Sequence, residues 1–67
     1  MTSYIVRVAI DGIMKYEYPF DTYLEALHRF AELSRETGTH AKDVRVVAYD
    51  DETKEECEFA HKEVKPL

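Results

Sequence analysis

Apolar side chains occupy every even position from Tyr4 through Val6 and Val8 to Ile10, while Ser3, Ile5, Arg7 and Ala9 hold the odd ones. A period of two marks a strand with one face on a core, and the β-branched content of residues 3–10 favours the same reading. Asp11-Gly12 signals a turn, after which Met14, Tyr16, Tyr18 and Phe20 alternate with Lys15, Glu17 and Pro19. A two-residue turn on Asp11-Gly12 pairs Ile10 with Ile13 and sets Val6 and Val8 beside Glu17 and Lys15. A slip of one residue moves a strand's whole apolar set to its other face. The pattern therefore predicts a three-residue loop, Ile10-Asp11-Gly12, with Gly12 in the left-handed bulge position.

From residue 21 the period changes. Tyr23, Leu24, Ala26, Leu27, Phe30, Ala31, Leu33 and Ser34 share one broad arc of a helix, opposite Glu25, His28, Arg29, Glu32, Arg35 and Glu36. A helix is expected over residues 21–37, with Thr22 and Glu25 at capping-box spacing, Asp21 as a competing N-cap and Gly38 as the residue after the C-cap. Residues 43–49 form a third strand, with Val44, Val46 and Ala48 on one face and Arg45, Val47 and Tyr49 on the other. Residues 54–61 return as a fourth. A four-residue turn pairs Val46 with Cys57 and Val44 with Phe59, and sets Arg45 opposite Glu58 and Tyr49 opposite Lys54. Residues 62–67 are read as a tail.

These elements give one small α+β domain over residues 1–67. Its order is ββαββ, with one helix packed on one face of a four-stranded antiparallel sheet. A right-handed crossover over strand 1 yields the sheet order 2-1-3-4, which leaves Pro19 and the charged fourth strand on the edges.

Composition narrows the function classes. The chain has 67 residues, 45% apolar and 34% charged, which is globular rather than disordered. A single cysteine, Cys57, excludes an internal disulfide, and no Cys/His cluster has zinc spacing, so neither metal nor cofactor is expected. No apolar run nears the roughly 18 residues of a membrane span, and no leader pattern precedes the first strand, so a cytoplasmic location is expected. The net charge of −5 is concentrated in residues 50–67, where three lysines face seven carboxylates. That balance disfavours direct nucleic-acid binding and suits a partner protein with a basic surface.

Catalytic chemistry finds little footing. His28, His40 and His61 are dispersed along the chain, and Cys57 is expected to be buried and inert beside His61 on one strand face. Gly12 and Gly38, the only glycines, sit in no phosphate-binding context, and one helix on one sheet leaves little room for an enclosed pocket. Tyr4, Tyr16, Tyr18 and Tyr23 are assigned to the core, and Tyr49 to the outer face.

Two surfaces remain as partner contacts. The helix covers one side of the sheet; on the other, Ile5, Arg7, Arg45, Val47 and Tyr49 are expected outward, with Ile5, Ala9, Val47 and Tyr49 as an apolar patch. The acidic hairpin offers Asp50, Asp51, Glu52, Glu55 and Glu56. The reading is a small, acidic, non-enzymatic protein–protein interaction module. Its alternative is a self-associating protein whose outer faces or edges bury one another in a homodimer. The run Tyr18-Pro19-Phe20-Asp21-Thr22-Tyr23-Leu24-Glu25-Ala26-Leu27 is similar to one in small phage inhibitors of host RNA polymerase and in partial-RNase-H-type antitoxins. That resemblance covers ten residues and assigns no functional residue. It implies an inhibitor or regulator of a host protein, encoded by a phage or mobile element.

Overall fold

The computed structural model describes every residue, Met1–Leu67. Strands β1 (Thr2–Ile10) and β2 (Met14–Phe20) form a hairpin, followed by helix α1 (Tyr23–Arg35) and a second hairpin of β3 (Lys42–Asp50) and β4 (Glu56–Val64). The four strands make one antiparallel sheet in the order β2-β1-β3-β4, with α1 packed across one face. The class, element order and strand order are those the periodicities predict.

The first hairpin has an odd loop, as its apolar pattern demands. The loop residues are Asp11-Gly12-Ile13 rather than Ile10-Asp11-Gly12, because Ile10 pairs with Met14. Asp11 and Gly12 both take positive φ, 53° and 71°, and the Ile13 amide donates to the Ile10 carbonyl at 3.0 Å. Asp-Gly thus does make the tight turn, and Ile13 is the extra residue that keeps Val8 with Tyr16 and Val6 with Tyr18.

Helix α1 begins at the expected capping box. The Glu25 amide donates to Thr22 Oγ1 at 3.3 Å, and that hydroxyl donates to Glu25 Oε1 at 2.8 Å. The helix stops two residues short of the expected end, with Glu36 already extended (φ −70°, ψ 127°), and no left-handed glycine closes it. Lys42 Nζ instead donates to the Leu33 carbonyl at 3.0 Å, satisfying one of the orphan acceptors of the last turn. Arg29 stacks over Tyr18 at 5.4 Å and approaches Glu32 at 3.8 Å.

Val6, Val8, Ala26, Leu33, Val44 and Val46 form the core cluster, with Tyr4, Ile10, Tyr18, Phe20, Phe30 and Ala60 packed around it. Only eight residues of the chain are buried, so the core is small and the chain holds little stability in reserve. Several residues assigned to the core from the sequence lie at its margin: Met14, Tyr16, Tyr23 and Leu24 are all exposed.

The second hairpin departs furthest from the expected register. Val46 pairs with Ala60, Val47 with Glu58 and Ala48 with Cys57, so Phe59 is an inserted bulge residue. Tyr49 faces Glu56, not Lys54, and Arg45 faces His61, not Glu58. Lys54 takes φ 63° in the turn. The supposed tail is partly sheet: Lys62, Glu63 and Val64 pair with Val44, Asp43 and Lys42, Val64 is buried, and the Leu67 amide donates to the Gly38 carbonyl at 2.9 Å. No helix is long and apolar enough to cross a membrane.

Candidate interaction surfaces

On the face away from α1, the register sets four rows across the sheet. Ser3, Tyr49 and Glu56 form one; Pro19, Ile5, Val47 and Glu58 the next; then Glu17, Arg7, Arg45 and His61; and finally Lys15, Ala9, Asp43 and Glu63. Ile5, Arg7, Arg45, Val47 and Tyr49 therefore all point outward as expected. They do not make an open apolar patch. Ile5 and Tyr49 are half-buried, Val47 is only 5% exposed, and the Arg7–Arg45 row cuts Ala9 off from them.

Ion pairs explain the burial of Val47. Arg7 and Arg45 stand directly opposite one another, a repulsive placement that each relieves with two carboxylates. Arg7 Nε meets Glu17 at 2.6 Å, and its two terminal nitrogens meet both oxygens of Glu56 at 2.9 and 2.6 Å. Glu56 is two rows over from Arg7 on the far strand, with the Val47 row between, so the bond between them runs diagonally across β3 and passes over Val47. Arg45 holds Asp43 at 2.9 Å and Glu58 at 3.0 Å. Arg7 and its bidentate partner shift each other: Glu56 lies below the usual carboxylate range and Arg7 above its ordinary value, first through Glu56 and then Glu17.

The bulge at Phe59 also relocates the cysteine and histidine. Cys57 is exposed, where the sequence suggested burial, and it lies on the helix side of the sheet opposite Ala48. His61 lies on the outer side, with Nε2 2.9 Å from Asp43 Oδ2, so the two share no face. Asp43, His61 and Glu63 bring their ligand atoms within 4.8 Å of one another, a grouping invisible in a regular fourth strand. A cation there would have to displace Arg45 from Asp43, whose carboxyl is held low first by Arg45 and then by His61.

The acidic hairpin residues gather at the end of the sheet where β1 and β4 begin and β3 finishes. The Met1 amine bonds Asp51 Oδ1 at 2.7 Å, a contact that depresses the Asp51 carboxyl and raises the amine, and it lies 3.8 Å from Glu52. Asp50 turns its carboxylate inward to the Glu52 amide at 2.9 Å. Asp51, Glu52 and Glu55 are exposed; Glu56 belongs to the Arg7 clamp on the outer face instead. The α1 N-terminus overhangs the same end, since Tyr23 packs between Tyr4 and Phe59 at 5.7 and 5.5 Å. It brings Asp21 and Glu25, with Leu24 72% exposed beside them and Met1 84% exposed nearby.

Leu24 and Phe59, like Met1, Ile13, Met14, Tyr16, Tyr23 and Leu67, are exposed apolar residues outside the contacts expected from the sequence. Leu24 carried a signal, because at 100° per residue it lies about 160° from Ala26, at the far margin of the apolar arc. Compared with models of protein families, with curated proteins and with solved structures, the chain matches none.

Proposed function

We propose that this chain is a non-enzymatic protein-binding module, of the inhibitor or regulator kind, that docks its acidic end onto a partner with a basic surface. The observation that carries the reading is the coincidence of Leu24, Met1 and Tyr23, all exposed, with Asp21, Glu25, Asp50, Asp51, Glu52 and Glu55, against only Lys54 and the Met1 amine. An apolar centre with a charged rim is the ordinary make-up of a protein contact, and single-sign charge steers its encounter. The outer sheet face supports docking less well, because its cations and carboxylates already satisfy one another and its apolar residues lie beneath them. The separation of Cys57 from His61 removes the one pairing that suggested a nucleophile.

Two variants test this at one surface. Leu24→Asp removes the apolar centre, and the triple change Asp51→Lys, Glu52→Lys, Glu55→Lys inverts the rim. Wild type should retain a basic protein from the native host's lysate and release it as salt rises, and both variants should lose it. The same proteins retained by all three would overturn the proposal.

A further inference from the structure

We propose that β4 pairs antiparallel with β4 of a second copy of this chain, about a two-fold axis between Phe59 and Ala60. This makes a homodimer with a continuous sheet and both helices on one side. The surface adjoins the acidic end where Tyr23 meets Phe59, but cross-linking at position 62 and partner retention by Leu24 and the hairpin carboxylates are separate readouts, so the two proposals succeed or fail separately.

The bulge selects the partner. β4 is a free edge of the sheet, and two residues, Phe59 and Ala60, stand between Glu58 and His61 where a regular strand has one. A regular strand laid along this edge loses register at that point. A second copy running antiparallel carries the same irregularity at the same place. Glu56, Glu58, His61 and Glu63 lie on the outer side, and Cys57, Phe59, Ala60, Lys62 and Val64 on the helix side. A single register keeps like sides together through the bulge: Glu58 opposite the second copy's His61, Cys57 opposite its Lys62, and Phe59 opposite its Ala60. The backbone agrees. The Asp50 amide donates to the Glu55 carbonyl at 3.0 Å, and the antiparallel alternation from there turns the peptide groups of Glu58 away from β3, toward the free edge.

Side chains fit the same register. Phe59 is 55% exposed on the helix side, and beside it a groove runs between α1, with Phe30, Ala31, Ser34 and Arg35, and β4, with Ala60, His61 and Lys62. Pairing places the second copy's Phe59 ring against Ala60, the smallest residue on that groove's floor, and the symmetry does so twice. Glu58 meets an imidazole. Glu56 comes opposite a like-charged Glu63, but Arg7 already neutralises it through both its oxygens.

A disulfide reads the register directly. Lys62→Cys retains the native Cys57, and in a non-hydrogen-bonded antiparallel pair the two Cα atoms lie about 4.5 Å apart, within disulfide reach. Within one chain the same two residues are about 17 Å apart along the strand and cannot join. Wild type should sediment as a dimer at about 100 µM, a concentration at which a Kd of about 10 µM or tighter leaves most chains paired. On mild oxidation Lys62→Cys should cross-link at least about tenfold faster than Glu63→Cys, whose thiol lies on the opposite side. A wild-type monomer at that concentration overturns the proposal, as does a dimer in which the two variants cross-link equally.

Discussion

Replacing Arg7 separates two roles that its geometry combines: cross-linking the carboxylates of β2 and β4, and roofing Val47. Val47 is 5% exposed on a face that no helix covers, beneath the diagonal from Arg7 on β1 to Glu56 on β4. Burying a whole valine side chain is worth about 1.5–2 kcal/mol, so uncovering half of it costs about 1 kcal/mol. Ion pairs at this exposure contribute at most about 1 kcal/mol. Arg7→Ala loses both and should destabilise the chain by about 2 kcal/mol. Arg7→Met loses the charge but keeps an apolar stem of nearly the same reach, and should cost about 1 kcal/mol or less. For a domain this small the urea slope is about 1 kcal/mol/M, so the midpoint should fall by about 2 M for alanine and by at most about 1 M for methionine. Equal midpoints for the two variants would mean that the stem does not shelter Val47. A midpoint for Arg7→Ala within about 0.3 M of wild type, about 0.3 kcal/mol at that slope, would remove the ionic role as well.

Three further outcomes follow from the same geometry. Val46 is fully buried at the centre of the core cluster, and Val46→Ala should cost about 2–3 kcal/mol in urea unfolding, a large share of a small domain's total. Gly12 sits at φ 71° with open space where a Cβ would go, so Gly12→Ala should lose about 1 kcal/mol through backbone conformation alone, with little change to the folded spectrum. Asp11, Asp43, Asp51 and Glu56 have carboxyls held below their ordinary values, Asp11 chiefly by His40. The stability they add is present above the unfolded values of 3.8 and 4.5 and is lost as pH falls through the depressed ones. The Met1 amine is raised from 8.0, so its share is complete below that pH and disappears as pH climbs through the raised value. Thermal melts against pH should show both limbs, and N-terminal acetylation should flatten the alkaline one while Asp11, Asp43 and Glu56 preserve the acid one.

The sheet order and the side covered by α1 were legible because two periods, two and 3.6, stay unbroken over long stretches. Tyr4 to Ile10 and Val44 to Ala48 each keep one parity throughout, and the core cluster draws on both. The helix N-terminus was legible because Thr22 and Glu25 form local bonds. Its C-terminus was not, because Lys42 reaches the last turn from a different element and spares the chain a glycine cap. The outer face was placed correctly and its exposure was not. Burial of Val47 depends on where two long side chains meet across three strands, which no single segment encodes.

The fourth strand was misread for one reason with several consequences. Cys57 and Phe59 share a parity that Ala60, Lys62 and Val64 do not, and a regular strand must give one set to the core. Choosing Cys57 and Phe59 favours the larger side chains and leaves residues 62–67 as a tail. The bulge lets Phe59 and Ala60 both turn toward α1, which sends Val64 into the core and His61 across to Asp43. A change of apolar parity within a strand is therefore itself the mark of an inserted residue. Bulges usually protect an edge from pairing, but that protection acts against regular strands. In the self-pairing proposed above the insertion is matched by its own copy, so the bulge that disfavours a regular strand would not disfavour a second copy of this one.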